Sequence, residues 1–501
     1  MKRIYIAVPV LFLFLATSFG CKKFLDVNQD PNAPTKVTEN LMTSAILGTF
    51  SFEIAGGYPV RLSSLWTKHT AYATAGPHEG NYYLTENDVD NFWRYSSYTD
   101  VMSTSTELIK KAETNGNPSY AAIAKIVLAW NMSYVTDAFG SAPFSDAFKG
   151  FDGVVKPKYD SQEDIYKQIQ TLLDQAIVDG AKGTGLQPGT DDFIYGGVMT
   201  KWVHLARTLK ARFHMRLSNA PGYSATTQAD LALAALNAGA ITAAEAPTMT
   251  YYASANSDNP WYQYAIDGKW SLTTKPSIFY LNLLQSTSDP RLPFQVDKVA
   301  TGGNAGTYVG VTNDAPPTAI TNYSPIASFY SAQNAKLNLL VYAEVPFLRA
   351  EAEFLKANKT VNAAVIAAYT DGMKASMRLY GIEVDNVGTI TPETAAYLTA
   401  NALTLVTPSA TAYNRIMTQK YIANYLQFEA YNDYRRTGYP VLPINNEVYP
   451  GGTLDISPYL PFVPLRLPYP SSERSYNASN IPSDIPVNAV GAMSVPVWWD
   501  K

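Results

Sequence analysis

The chain has 501 residues, 47% of them hydrophobic and 16% charged, with a formal net charge of -4. That balance supplies a sizeable core and excludes both a disordered chain and a multi-span membrane protein. It also gives no bulk attraction to nucleic acid. Tyrosine is abundant at 35 copies, and with 8 tryptophans it provides amphipathic ring surface suited to wet binding sites as well as to helix seams.

At the N-terminus, Lys2 and Arg3 precede an apolar run from Ile4 to Leu15 and a small-residue stretch before Cys21. This is the pattern of an export signal, too short for a stable membrane span, and it sets residues 1–20 apart from the fold. Cys21 is the chain's single cysteine, so it forms no internal disulfide, and it stands where lipoprotein processing would leave an acylated N-terminus. The lipobox is relaxed, with Ser18 in the usual leucine position and a bulky Phe19. Residues 21–35 read as a polar tether. Asp26, Asn28, Asp30 and Asn32 alternate as at the start of a calcium loop, but Pro31 replaces its glycine and Val37 its terminal glutamate, so the loop is incomplete.

From residue 36 onward helical periodicity dominates, which predicts a mainly α fold. Ser161 and Asp164 form a capping start for a helix whose stripe is Ile165, Ile169, Leu172, Leu173, Ala176 and Ile177. Further helices are expected over 98–114, 118–138, 199–218, 227–238, 346–357, 361–380 and 411–430, several joined by short turns that favour antiparallel pairs. Residues 240–340 and those beyond 439 lack sustained periodicity. Irregular regions of that length usually carry function or cover something.

Seven stretches resemble the signature segments of the SusD/RagB family, in its SusD-like branch: Phe24–Thr35, Tyr134–Phe148, Lys158–Tyr166, Ser288–Pro293, Tyr342–Phe354, Gln419–Leu442 and Leu465–Glu473. The resemblance implies a single domain over 36–501, with tetratricopeptide-like helix pairs as scaffold and irregular loops bearing the ligand site. It further implies a lipid-anchored protein at the outer face of the outer membrane. There it would capture an oligosaccharide, or in some branches a peptide, as a lid on a SusC-like TonB-dependent transporter. No catalytic residues, cofactor or nucleic-acid partner are implied.

The residues themselves point the same way. His69, His78, His204 and His214 include no pair at the four-residue helical spacing of a metal site, and no nucleophile elbow, P-loop or dinucleotide fingerprint occurs. Paired carboxylates, Asp88 with Asp90 and Glu351 with Glu353, could in principle serve a surface glycoside hydrolase, but they read as cap or packing-edge residues. Lys201, Arg207, Lys210, Arg212 and Arg216 read as a solvated face around the stripe Trp202, Leu205, Leu209 and Phe213. Arg435 and Arg436 read as a structural corner closed by Gly438.

Two ring clusters remain. Trp66, His69, Tyr72, His78, Tyr82, Tyr83 and Trp93 are interleaved with Gly76, Pro77, Gly80 and Asn81; Trp261, Tyr262, Tyr264, Lys269 and Trp270 lie beside Asn259, Gln263 and Asp267. Flat rings for sugar C–H faces, with amide and basic groups for hydroxyls, make Trp93, Trp261, Trp270, Tyr82, Tyr83, His78, Asn81 and Lys269 the expected ligand contacts.

Overall fold

The apolar stripes become the inward faces of a run of packed helices. The computed structural model describes residues 37–73, 79–268, 272–312, 320–386, 388–443 and 462–500. Cys21 and the tether lie outside the described residues, as do His78, Lys269 and Trp270.

The chain enters through α1 (Glu39–Thr49), a π-helical turn (Phe50–Ala55) and α2 (Tyr58–Trp66). Gly57 separates the last two, and a Cβ there would lie 1.9 Å from the Glu53 carbonyl oxygen, so only glycine fits the junction. Ile46, Leu47, Phe50 and Ile54 are buried at near-helical spacing, but Gly48 within the run and Gly56 and Gly57 at its end make it read as an interrupted segment. The helix expected over 98–114 is two elements, a π-helix from Asn91 to Ser103 running into α3 (Thr104–Asn115).

The scaffold proper is α4 (Pro118–Phe139), α5 (Gln162–Gly180), α6 (Met199–Arg216) and α7 (Ala225–Asn237), each packed on the next. Every residue of α4 from Ser119 to Phe139 is buried, so this helix is the spine of the core. Its one lysine, Lys125, is neutralised by Asp179 at 2.7 Å and Glu113 at 2.6 Å. The Ser161 hydroxyl accepts from the Asp164 N–H, as the capping reading expects, and Ile165, Ile169, Leu173 and Ala176 form the buried stripe of α5.

After α7, two short antiparallel ladders and brief helices fill the irregular region. β1 (Thr70–Tyr72) pairs with β3 (Thr274–Pro276), and β2 (Thr248–Met249) with β4 (Leu337–Asn338). α8 (Pro260–Ala265) and α9 (Ile278–Ser286) flank β3. Helix packing then resumes with α10 (Glu344–Lys356) on α7, α11 (Ala363–Arg378) on α10, and α12 (Pro392–Asn401). The helix expected over 411–430 is broken: α13 (Ser409–Ala423) ends, Leu426 takes a φ of 59°, and α14 (Glu429–Thr437) follows, closed by Gly438 at φ 74°. The fold is therefore mainly α, a single domain of tetratricopeptide-like helix pairs with irregular loops.

One expectation about charge is corrected. Arg212 and Arg216 are buried, and so is Glu351, because α6, α10 and α14 meet there and their charges pair. Arg212 grips Glu344 through two bonds of 2.6 Å, Arg216 bridges Asp137 and Glu429, and Arg436 pairs with Glu351 and Asp433. Only the remainder of the α6 basic face is outward.

Candidate functional site

A cleft of about 630 Å³ opens where α2, the Asn91–Ser103 helix and α8 converge. Its volume lies within the usual range for a ligand site, about 300–1,000 Å³. The centre is Arg61. Its guanidinium carbon sits 5.3 Å from the ring centroids of both Tyr58 and Tyr264. Its Nη1 donates to the Tyr72 hydroxyl at 2.8 Å, and Nη2 lies 3.7 Å from Glu79. One side chain thus fastens two ring walls to the β1 strand and to the turn that begins at Glu79.

The opposite wall belongs to the Asn91–Ser103 helix, which contributes Asn91, Phe92, Tyr95, Ser96 and Asp100, with Phe52 and Glu53 facing it from the π-helical turn. Tyr95 is 49% exposed and presents its ring to solvent. Burial raises the Glu53 carboxyl above its ordinary range, with the Ser96 hydroxyl donating to it at 3.5 Å and Asp100 adding like charge. The Tyr58 hydroxyl has no hydrogen-bond partner among the described residues, and burial pushes its pKa up, so it stays a neutral donor. Rings, neutral hydroxyls, amides and carboxylates around one cavity can stack on the C–H face of a polyol and exchange hydrogen bonds with its hydroxyls.

The two ring clusters of the sequence do meet. β1 pairs with β3, and the Ala73 N–H donates to the Thr273 carbonyl at 2.8 Å, so described residues of the two segments share one ladder. Tyr72 and Tyr264, one from each cluster, meet on Arg61.

The individual ring contacts expected from sequence are placed differently. Trp261 is 1% exposed, because Asn259 caps α8 and turns the ring inward against Tyr264. Tyr82 and Asn81 are buried; Lys68 lies 5.1 Å over the Tyr82 ring, and Tyr82 itself takes a φ of 65°. Trp93 is 3% exposed and packs on Phe139 at 4.9 Å, because residues 91–103 form a helix instead of a turn. The premise that these rings stay open to solvent is thus corrected for Trp93, Trp261 and Tyr82. Tyr83 alone among the described candidates is exposed. His69 is core as well: its ring stacks on Tyr421 at 4.2 Å, and burial pushes its pKa down to about 3, so it is neutral.

Sequence reasoning missed Glu53, Tyr58, Arg61, Tyr95 and Asp100. The available signal was the density of rings in Asn91–Tyr98, which holds Phe92, Tyr95 and Tyr98 beside Trp93. Asp88 and Asp90 have structural partners: Asp88 accepts from the Thr85 N–H at 2.7 Å, and Asp90 accepts from the Ser472 N–H at 3.0 Å. Among the described residues no three His, Cys, Asp or Glu side chains gather as a metal site, and no helix is long and apolar enough to cross a membrane.

Comparison with known proteins places this architecture. A family model described as "SusD-like_2: Starch-binding associating with outer membrane" matches residues 31–470. A SusD/RagB family protein from Bacteroides thetaiotaomicron superposes with a TM-score of 0.73 at 24% identity, covering 93% of this chain and 99% of its own. A SusD homolog from Bacteroides uniformis gives 0.73 at 25%, covering 92% and 98%. A structure titled a chitin-binding SusD homolog from Flavobacterium johnsoniae gives 0.73 at 22%, also covering 92% and 98%. No curated protein matches the chain by sequence. With the family model spanning most of its length, the chain belongs to the SusD-like family, described as starch-binding and associating with the outer membrane.

Proposed function

We propose that this protein is a non-catalytic lipoprotein that captures an oligosaccharide at the outer surface of the outer membrane and delivers it to a TonB-dependent transporter of the SusC type. The observation that carries this reading is the cleft around Arg61, whose ring walls, exposed Tyr95 and hydrogen-bonding side chains suit a sugar chain. The family's description as starch-binding and the chitin-binding title of a solved relative support a carbohydrate over a peptide. Contacts from Tyr83, His78, Lys269 and Trp270 would extend the site.

The mature protein incubated with a panel of neutral glycans is expected to bind at least one saturably and return it at its original length. Shorter products would make it a glycoside hydrolase, and saturable binding confined to peptides would overturn the carbohydrate reading. In mild detergent with the glycan present, a transporter is expected to copurify; recovery of the protein alone counts against the lid role.

The anchor is tested separately. Cys21→Ala is expected to release a folded protein into the soluble fraction, since stable membrane attachment through acyl chains needs more than one chain and Cys21 would carry them. Retention of the variant on membranes after a high-salt wash would place the anchor elsewhere.

A further inference from the structure

The Asn91–Ser103 helix has a second cleft on its other side. Asn91, Phe92, Tyr95, Ser96 and Asp100 face the cavity described above, whereas Trp93, Arg94, Tyr98 and Thr99 line a separate one of about 350 Å³. Its far walls come from Phe148 and from α15 (Ser471–Tyr476) through Glu473 and Tyr476. π-Helical winding is rare and frequently occurs at functional sites. Here it spaces two sets of side chains onto two cavities.

The second cleft has a rigid back and an open rim. Trp93 is held at 5.0 Å by Tyr98 and at 6.0 Å edge-on by Tyr469, and the Tyr98 hydroxyl donates to the Pro143 carbonyl at 2.6 Å. Phe148 keeps a left-handed φ of 63°, a conformation bulky residues hold only where their surroundings fix it. Tyr476 at the rim is 74% exposed. A ring that is both large and exposed beside a fixed aromatic wall is a surface prepared for a flat apolar face.

Its polar groups keep hydrogen-bonding capacity to spare. One oxygen of Glu473 accepts from the Tyr159 hydroxyl at 2.7 Å and from Asn477 Nδ2 at 3.1 Å, which fixes the carboxylate while its other oxygen makes no bond to a described residue. Neither Glu473 nor Arg94 forms a close ion pair among the described residues; Arg94 lies over the Tyr95 ring at 5.0 Å and near enough to Asp90 to help lower that carboxyl's pKa. An anchored acceptor and an exposed guanidinium in one small cavity suit a ligand that both donates and accepts. A net charge of either sign would be attracted by one group and repelled by the other.

We infer that this cleft is a second binding site, taking a single neutral pyranose against the half-buried rings of Tyr98 and Phe148 and the exposed ring of Tyr476, with its hydroxyls on Glu473 and Arg94. The choice of a sugar rests on the carbohydrate reading above; the cleft itself does not depend on the Arg61 site. Saturation-transfer NMR on the mature full chain, with glucose, galactose, mannose, N-acetylglucosamine and glucuronate at millimolar concentration, tests it. At least one neutral sugar is expected to give a signal that falls fivefold or more in Tyr476→Ala and in Arg94→Ala and persists in Arg61→Ala. Both rim residues are exposed, so these variants are expected to keep the melting temperature of the parent. The inference is overturned if no neutral sugar responds, if glucuronate responds most strongly, or if the signal ignores both rim variants. Loss only in Arg61→Ala would overturn it while leaving the main site standing, whereas retention in Arg61→Ala with loss in both rim variants supports it whatever the main site binds.

Discussion

Asp137→Ala is expected to destabilise the fold by about 3–5 kcal/mol, the usual cost of removing one partner from a buried ion pair. The carboxylate lies at the end of α4 and is 1% exposed. One oxygen accepts from Arg216 and from Asn432 Nδ2 at 3.2 Å; the other accepts from the Tyr166 hydroxyl and from the Trp499 indole N–H at 2.9 Å. Burial raises its pKa and Arg216 opposes the rise. Truncation leaves the fully buried Arg216 with Glu429 alone and strands three buried donors, on Tyr166, Asn432 and Trp499, each a further penalty. Because Asp137 joins α4, α5, α6, α14 and the C-terminal Trp499, the loss is expected as a lower midpoint in urea unfolding with near-UV signal lost in step. An unfolding free energy within about 1 kcal/mol of the parent's would show that the network is dispensable.

That network also explains why the fold was legible in the sequence. Asp137 stands in the stretch Tyr134–Phe148, Glu351 in Tyr342–Phe354, and Glu429, Asp433, Arg435 and Arg436 in Gln419–Leu442. These are the segments that carry the family resemblance, and the structure gives their charged residues one shared task of joining distant helices through the core. Such residues identify an architecture and say nothing of a ligand. Amphipathic stripes were equally readable: α5 and α6 keep the 3.6-residue spacing over many turns, with Trp202, Leu205, Leu209 and Phe213 all buried. Charge on α6 was misread because pattern alone cannot tell a guanidinium facing water from one facing Glu344 across 132 residues of chain.

The site was legible only as a neighbourhood. Ring density beside turn residues pointed to the segments around 66–93 and 259–270, and the β1–β3 ladder does bring them together. Which rings face solvent depends on helix phase, and the π-helical winding at 50–55 and 91–103 has a period that a 3.6-residue reading misplaces. That is why Trp93, expected at the surface of a loop, has its ring packed between Phe139 and Tyr98, while Tyr95, two residues on, is the exposed one. Arg61 was invisible for a different reason. A lone arginine in an unrecognised helix carries no local signal, and its role comes from Tyr72, Glu79 and Tyr264, brought in from β1, a turn and α8.

For Arg61→Ala we expect affinity for the captured oligosaccharide to fall about thirtyfold or more, near 2 kcal/mol, the threshold of a binding hot spot. The guanidinium is 5.3 Å from both the Tyr58 and Tyr264 rings and bonds the Tyr72 hydroxyl, so alanine removes the element that sets the spacing of the two walls. Rings free to reorient must then be ordered by the ligand itself, at a cost of roughly 0.5–1.5 kcal/mol for each side chain immobilised. Arg61→Lys is expected to recover little, because an ammonium lacks the planar fork that faces two rings while reaching Tyr72 and Glu79. Tyr95→Ala, at the exposed edge, is expected to weaken binding less than Arg61→Ala and to leave the melting temperature unchanged. The measurement is calorimetric titration of each variant with the oligosaccharide found in the glycan screen, alongside its melting curve. If Arg61→Ala lowers the melting temperature and leaves affinity intact, the guanidinium is a brace beneath the surface and the ligand lies elsewhere; if affinity falls while the fold holds, the cleft between Tyr58, Tyr95 and Tyr264 is where the sugar chain sits.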